Sequence, residues 1–452
     1  MYELGGGSRG EPRGTCHVTD GDPVTNESRR ARARRQVARF GPQVARFASV
    51  ATLTQGLAMV AGLIVVRAMD KEQYALYGIA VAAIGASAVL SDSGITSTMI
   101  SSAGRSARQG LSIAAAFDVA MRTRRKLLLF VMPPIVALNA YLLYQNGASV
   151  TETAVVLSLV IAAVVPEINS SLYRVVLQIG DAVTAIQWIQ FGVAVTRLLI
   201  LVALWLVPVS SLLPFLAVQA AISLAQLWLF HRAARPILAT GAVVGDEDAR
   251  PYVRSLRHTL PQNVMLIASP QIVSLMLTEV GNTAGIAEIA ALSRFAMVLV
   301  VVQQVVGNIG APLIAKDEVT RLATRRALAI IVGAYLVIVV AFVGVVALLS
   351  GPLLSILGPE YVGLDAELVV ITAGAGLSSL VTYGLGSVNH ARGWTDLSWV
   401  YVPFLAVWVV VSLAAFDLTT SLGAAVMYAT ISLVELSTHL VRLGVGYRRL
   451  TS

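Results

Sequence analysis

VVLSLVIAAVVPEINSSLYRVVLQIGDAVTAIQWIQFGVAVTRLLIL, residues 155–201, is two apolar runs joined at Gly180 and Asp181. Each is long enough to cross a bilayer, which takes about 20 residues of helix. Neither is uniformly apolar. Glu167, Ser171, Arg174 and Gln178 recur at i, i+4, i+7 and i+11, which places them on one helix face. In the second run Gln190 and Arg197 are seven apart and share a face, with Gln187 beside them. A charged side chain in hydrocarbon costs about 2.5–3.5 kcal/mol on insertion scales. Two neighbouring helices carrying such stripes do not both turn them to lipid. The stretch therefore reads as a polar path inside a bundle of membrane helices.

The rest of the chain fits. Of 452 residues, 56% are hydrophobic and 13% charged, with a mean hydropathy of +0.76. Soluble domains carry about 25% charged residues. The single cysteine, Cys16, rules out a disulfide framework and a cysteine-based metal site. The five histidines lack metal-ligand spacing, so neither a metal nor a cofactor is expected. Arginine far outnumbers lysine in an Ala/Val-rich chain, which we read as the coding bias of a GC-rich, bacterial genome. The net charge of +8 invites a nucleic-acid reading. Charge placement explains it better.

Twelve apolar runs are long enough to span: 46–67, 76–100, 127–146, 153–178, 182–207, 212–232, 259–279, 283–315, 327–350, 364–388, 397–416 and 419–441. With the N-terminus inside, the inner loops and C-terminal tail hold 19 Lys or Arg residues and the outer loops hold only Arg67 and Lys71. That asymmetry is the positive-inside pattern, and a missed span would scramble it. The expected fold is an all-α polytopic membrane protein, with twelve transmembrane helices in two six-helix lobes. Residues 1–45 form a basic, disordered cytoplasmic tail, residues 46–232 the N-lobe and 233–257 a cytoplasmic linker. Residues 258–443 form the C-lobe and 444–452 a cytoplasmic tail. No cleavable signal peptide is expected, because the first apolar run is full length. The expected location is the plasma membrane. Outer loops are short, which leaves little room for the catalytic domain of a membrane glycan enzyme.

Three stretches resemble a known family. VVRAMDKEQYALYG, residues 65–78, with Ser91-Asp92-Ser93-Gly94-Ile95, resembles the first hairpin of the polysaccharide transporters. These are the Wzx-type O-antigen and teichoic-acid flippases of the multidrug/oligosaccharidyl-lipid/polysaccharide flippase superfamily. Ile356-Leu357-Gly358-Pro359-Glu360-Tyr361 resembles a Leu-Phe-Gly-x-x-Tyr segment of the same family, and residues 285–312 its eighth span, with Arg294 at a frequent basic position. Asp70 and Ala75 stand where the family usually has Gly. The resemblance implies two lobes around a central cavity. It also implies export of a glycan on polyprenyl diphosphate from the inner to the outer leaflet, without ATP hydrolysis. No Walker motif occurs in the chain. Implied partners are that lipid-linked glycan, the bilayer and the glycosyltransferases or polymerase of a glycan pathway, with no nucleic acid.

Such a cargo needs a partly cationic path. Arg197 and Arg294 each lie about 11 residues from the same side of their spans, roughly 16 Å deep at 1.5 Å per residue. Arg174 lies nearer the cytoplasmic side. The forked guanidinium suits phosphate oxygens. Glu167, Gln178, Gln190 and Asn308 extend the polar path. Asp92, Glu167, Glu288 and Glu435 are embedded carboxylates and candidates for ion coupling. Plainer readings stand beside these. Arg174 reaches the interface, Arg197 and Arg294 pair with Glu167 and Glu288, and Glu435 pairs with His439. Pro166 and Pro270 should kink their spans. A multidrug or small-solute antiporter is the alternative function, followed by a membrane glycan enzyme or scaffold.

Overall fold

The computed structural model describes residues 50, 52–108, 113–207, 211–239, 249–305, 320–392, 394 and 397–449. Among them every regular element is helical. The first half comprises α1 (Thr52–Ala68), α2 (Lys71–Asp92), α3 (Ile95–Arg108), α4 (Ile113–Gln145), α5 (Val150–Ile179), α6 (Val183–Trp205) and α7 (Leu212–Ala239). The second half opens with α8 (Arg250–Glu279), α9 (Thr283–Leu292), a 3₁₀ turn (Phe295–Val298) and α10 (Leu299–Val305). It continues with α11 (Arg321–Leu348), α12 (Ser350–Leu357), a 3₁₀ turn (Pro359–Tyr361) and α13 (Asp365–Ser379). A π-helical segment (Leu380–Leu385), α14 (Gly386–Ala391), α15 (Tyr401–Ala415), α16 (Ser421–Thr430) and α17 (Ser432–Arg448) complete it.

Among the described residues ten helical segments are long and apolar enough to cross a membrane, and two shorter apolar helices, Thr52–Ala68 and Tyr401–Ala415, accompany them. Together they correspond one to one with the twelve apolar runs. Their starts follow from capping chemistry. Asp70, Ser149, Asn282 and Thr420 accept hydrogen bonds from the backbone N–H groups of Gln73, Glu152, Gly285 and Gly423 at 2.8, 3.1, 2.8 and 3.1 Å. Pro166 and Pro270 lie inside helices that continue past them.

Burial decides position. The core of α2 is rich in small residues, among them Ala75, Ala80, Ala83, Ala86 and Ser87, all buried. Small side chains let helix backbones approach closely where hydrocarbon offers no hydrophobic drive. Accordingly α2 packs on α4, α5 and α7 of its own half and on α8 and α9 of the other. Most other contacts stay within one half. In the first, α5 packs on α7 and α6 on α7; in the second, α13 packs on α16 and α11, and α15 on α17. Helix α6 buries only Ile186 and Leu201, while Trp188, Leu199 and Trp205 are exposed, a surface suited to lipid.

The second apolar run differs from its sequence reading. The helix starts at Lys71 and stops at Asp92, before a break in which Ser93 and Gly94 take φ of 22° and 85°. Glycine suits such a φ because it has no Cβ to clash. Residues 95–100, read as part of that span, open α3 instead.

Candidate functional site

Three groups of polar side chains lie inside the bundle. The first centres on Arg124 of α4, whose side chain is 0% exposed. Arg124 pairs with Asp92 at the end of α2 through Nη2. It also donates to the Ile168 carbonyl (2.7 Å) and Ser171 Oγ (2.6 Å) of α5, and to Thr96 Oγ1 (3.3 Å) of α3. Four helices therefore meet on one guanidinium. The sequence reading counted Arg124 among loop cations; the structure buries it, because α4 begins well before residue 127. A signal was available. Phe117, Ala120, Met121, Arg124, Leu127 and Val131 fall at helical spacing, and all are buried.

The stripe on α5 turns toward this group. Glu167 is half-buried, and its Oε2 has no hydrogen-bond partner among the described residues. Arg174 and Arg197 are both its electrostatic neighbours, and Arg174 is also a neighbour of Asp92 and Arg124. The two stripes read from residues 155–201 thus meet, with Arg197 of α6 half-buried between solvent and protein. Gln190 is half-buried, Arg174 and Gln178 are exposed, and Asn308 lies outside the described residues.

The second group contains Arg294. It sits at the turn where α9 gives way to the 3₁₀ segment, a break inside a single apolar run. Such mid-helix changes of winding recur at functional positions. Arg294 Nε donates to the Tyr74 hydroxyl at 3.2 Å, and its terminal nitrogens make no hydrogen bond among the described residues. Gly62 of α1 leaves room for it: a Cβ there would lie 3.2 Å from Arg294 Cδ. Arg294 borders a cavity of about 270 Å³ between the halves, walled by α2 at Gly78 and Ala82, by α8 at Pro270 and Leu277, and by Ser293. The walls are mostly apolar. Glu288, the carboxylate that the sequence offers to Arg294, pairs instead with Lys71 at 2.9 Å. Lys71 also lies 5.3 Å from the ring centroid of Tyr361. The Tyr361 hydroxyl is buried without a partner among the described residues, and burial pushes its phenol well above the usual range.

The third group belongs to the second half. Glu435 Oε2 accepts from Ser378 Oγ (3.0 Å) and Thr382 Oγ1 (3.2 Å), the latter carried on the π-helical segment. A cavity of about 70 Å³ adjoins Glu435, bordered by Tyr401, His439 and Arg442. His439 contacts Asn389, whose Nδ2 lies 3.2 Å from its Nδ1.

Hydrogen bonds bridge the halves at both ends of the cavity. At the end where α2 begins, Lys71 holds Glu288. There Asn146 donates to Thr278 Oγ1 and accepts from Thr283 Oγ1, both at 2.8 Å, and Tyr141 donates to Glu279. At the Arg124 end the contacts are of another kind. Thr259 donates to the Ser93 carbonyl, Asn263 donates to Val89 O and Ser93 Oγ at 3.3 Å each, and Tyr252 donates to Ala116 O at 3.0 Å. Gly94 permits this closeness, since a Cβ there would lie 2.4 Å from Ser255 Oγ.

No family profile and no curated protein sequence matches the chain. Solved structures do. The lipid II flippase MurJ, in an inward closed conformation, aligns with a TM-score of 0.59 at 12% identity, covering 88% of this chain and 87% of its own. An inward-facing multidrug resistance MATE family transporter of the MOP superfamily aligns with a TM-score of 0.57 at 15% identity, covering 87% and 94%. The Vibrio cholerae MATE transporter VcmN aligns with a TM-score of 0.53 at 15% identity, covering 89% and 96%. These neighbours are flippases and transporters, not enzymes, and at such identities the likeness is one of fold. The chain is a multi-pass, all-helical membrane protein with the fold of MurJ and the MATE transporters.

Proposed function

We propose that the protein is a flippase for a lipid-linked, anionic glycan precursor, working by alternating access between its two halves in the plasma membrane. One observation carries the reading. Arg294, at a helix break, borders an apolar-walled cavity between the halves, and its terminal nitrogens make no hydrogen bond among the described residues. A guanidinium beside apolar walls suits a cargo with a diphosphate joined to a polyprenyl chain. Arg197 and Arg174, gathered near Glu167, would serve the same cargo from the first half. The arginine asymmetry supports cytoplasmic termini, and the Wzx-type resemblance implies inner-to-outer export. The likeness to MurJ, a lipid II flippase, supports a lipid-linked cargo, and the Wzx-type resemblance supports a polysaccharide or O-antigen precursor delivered by glycosyltransferases. Of the embedded carboxylates, Glu435 is the best placed for ion coupling. Asp92 and Glu288 are already paired with Arg124 and Lys71.

The test is made in cells lacking the protein. Lipid-linked oligosaccharide should accumulate in the inner leaflet, and a stably expressed Arg197→Ala/Arg294→Ala variant should not relieve it. Relief by that variant would remove the arginine site and keep the function. No accumulation, with no redundant exporter present, would overturn the flippase reading. A small-solute antiporter is the second reading, favoured by the MATE likeness and by a cavity of about 270 Å³.

A further inference from the structure

One face of α4 changes character within a turn. Arg122, Arg125 and Lys126 are exposed, and one turn further along the same face Leu129 and Phe130 are 76% and 79% exposed. Helix α7 runs the other way and repeats the change in reverse. Trp228 is 56% exposed, and Arg232 and Arg235 follow it on the same face. The Arg232 guanidinium lies 5.5 Å from the centroid of the Trp228 ring. Between the two helices, Tyr173 of α5 packs on Phe117 of α4 (4.9 Å between centroids) and meets the His231 ring of α7 edge-on (5.2 Å). Arg125 is an electrostatic neighbour of Tyr173, as is Asp118, the one carboxylate in this group among the described residues.

Exposed aromatic and aliphatic side chains at this density belong in hydrocarbon, and guanidinium groups one turn away belong at the headgroups. The switch on two packed helices therefore fixes where the bilayer surface crosses them. At that level the protein offers five cations against Asp118, over a floor of aromatic rings. We propose that this α4–α7 face is a binding site for anionic phospholipid. The lipid phosphate would lie among Arg125, Lys126 and Arg232, and its acyl chains against Phe130 and Trp228. The site lies outside the cavity between the halves, and its occupancy does not depend on the transport reading.

Native mass spectrometry of the full-length protein tests this, with phosphatidylglycerol and phosphatidylcholine as probes. Each cation near the surface changes affinity by about five-fold, so Arg125→Gln/Lys126→Gln/Arg232→Gln should bind phosphatidylglycerol about 100-fold more weakly and phosphatidylcholine unchanged. A control, Arg325→Gln/Arg326→Gln/Arg448→Gln, removes the same charge from exposed positions of the second half and should retain wild-type binding. Three results would overturn the proposal: equal binding of the two lipids by the wild type, full phosphatidylglycerol binding by the first variant, or an equal loss in the control. Should the triple variant fail to fold, Arg125→Gln and Arg232→Gln singly should each show a five-fold loss, and unchanged affinity in both would also overturn it.

Discussion

The Asp92–Arg124 pair is unequal, and its inequality sets a prediction. Arg124 is 0% exposed and Asp92 is 42% exposed. Removing one partner of a buried pair costs about 3–5 kcal/mol when the other charge is left uncompensated. Asp92→Asn leaves Arg124 in that position, with only the Ile168 carbonyl, Ser171 and Thr96 for partners. The expected loss is about 3 kcal/mol, the low end of that range, since neutral acceptors remain. Arg124→Met leaves Asp92 near solvent and still bonded to Thr96. Its expected cost is about 1–2 kcal/mol, mostly for hydrogen bonds lost along α5. The double variant should resemble Arg124→Met alone, with a coupling energy of about 3 kcal/mol. Equilibrium unfolding in mixed micelles, followed by tryptophan fluorescence, measures all four proteins. Additive single losses, or a costlier Arg124→Met, would refute the reasoning, because either would mean that Arg124 is solvated.

Three further predictions concern packing. Gly94→Val meets both a left-handed φ and Ser255, so it should separate α8 from the α2 break. It should raise thiol labelling of an Asn263→Cys probe in a Cys16→Ser background several-fold, and an unchanged rate would discount the contact. Tyr361→Phe removes a hydroxyl with no partner among the described residues and keeps the ring near Lys71, so its unfolding free energy should stay within about 0.5 kcal/mol of wild type or rise. Tyr361→Ala should cost about 3–5 kcal/mol. Gly62→Leu places atoms where Arg294 lies. On the proposed function it should impair transport as Arg294→Ala is expected to, while the protein remains folded, and normal transport would argue against Arg294.

Much of this fold was legible because hydrocarbon imposes a simple rule. A span needs a long apolar run, and the twelve runs became twelve helical segments. Ends were harder. The run at 76–100 concealed the Ser93–Gly94 break, since Ile95 and Met99 are as apolar as α2 itself. The site was legible on one helix at a time. Periodicity placed Glu167, Arg174 and Arg197 on polar faces, and packing brought them together. It could not give the partners of Arg294 and Glu288, which depend on how α2 lies against α9. The run ALYGIA, residues 75–80, shows small residues but not which helix they admit. Arg124 was hidden by its neighbours, because Arg122, Arg125 and Lys126 on either side are ordinary interfacial cations.

Bridges at both ends of the central cavity have a consequence for leakage. Drug-sized ligands occupy pockets of about 300–1,000 Å³, so a space of about 270 Å³ holds at most part of a lipid-linked glycan. On the proposed function, the conformer with both ends bridged would be an empty carrier. A carrier that rests in this way offers no continuous water column, and ions do not short-circuit the membrane potential between cycles. Unbinding at either end would then wait for cargo. The cargo shifts the equilibrium only by as much as it binds the opened form more tightly than the bridged one. The two seals differ in what they expose. Parting the Lys71 end separates a half-buried ammonium from a buried carboxylate, whereas parting the Arg124 end uncovers hydroxyls and bare backbone at Gly94. Water rehydrates both, but salt screens only the first, so ionic strength should bias which door of the empty carrier yields first.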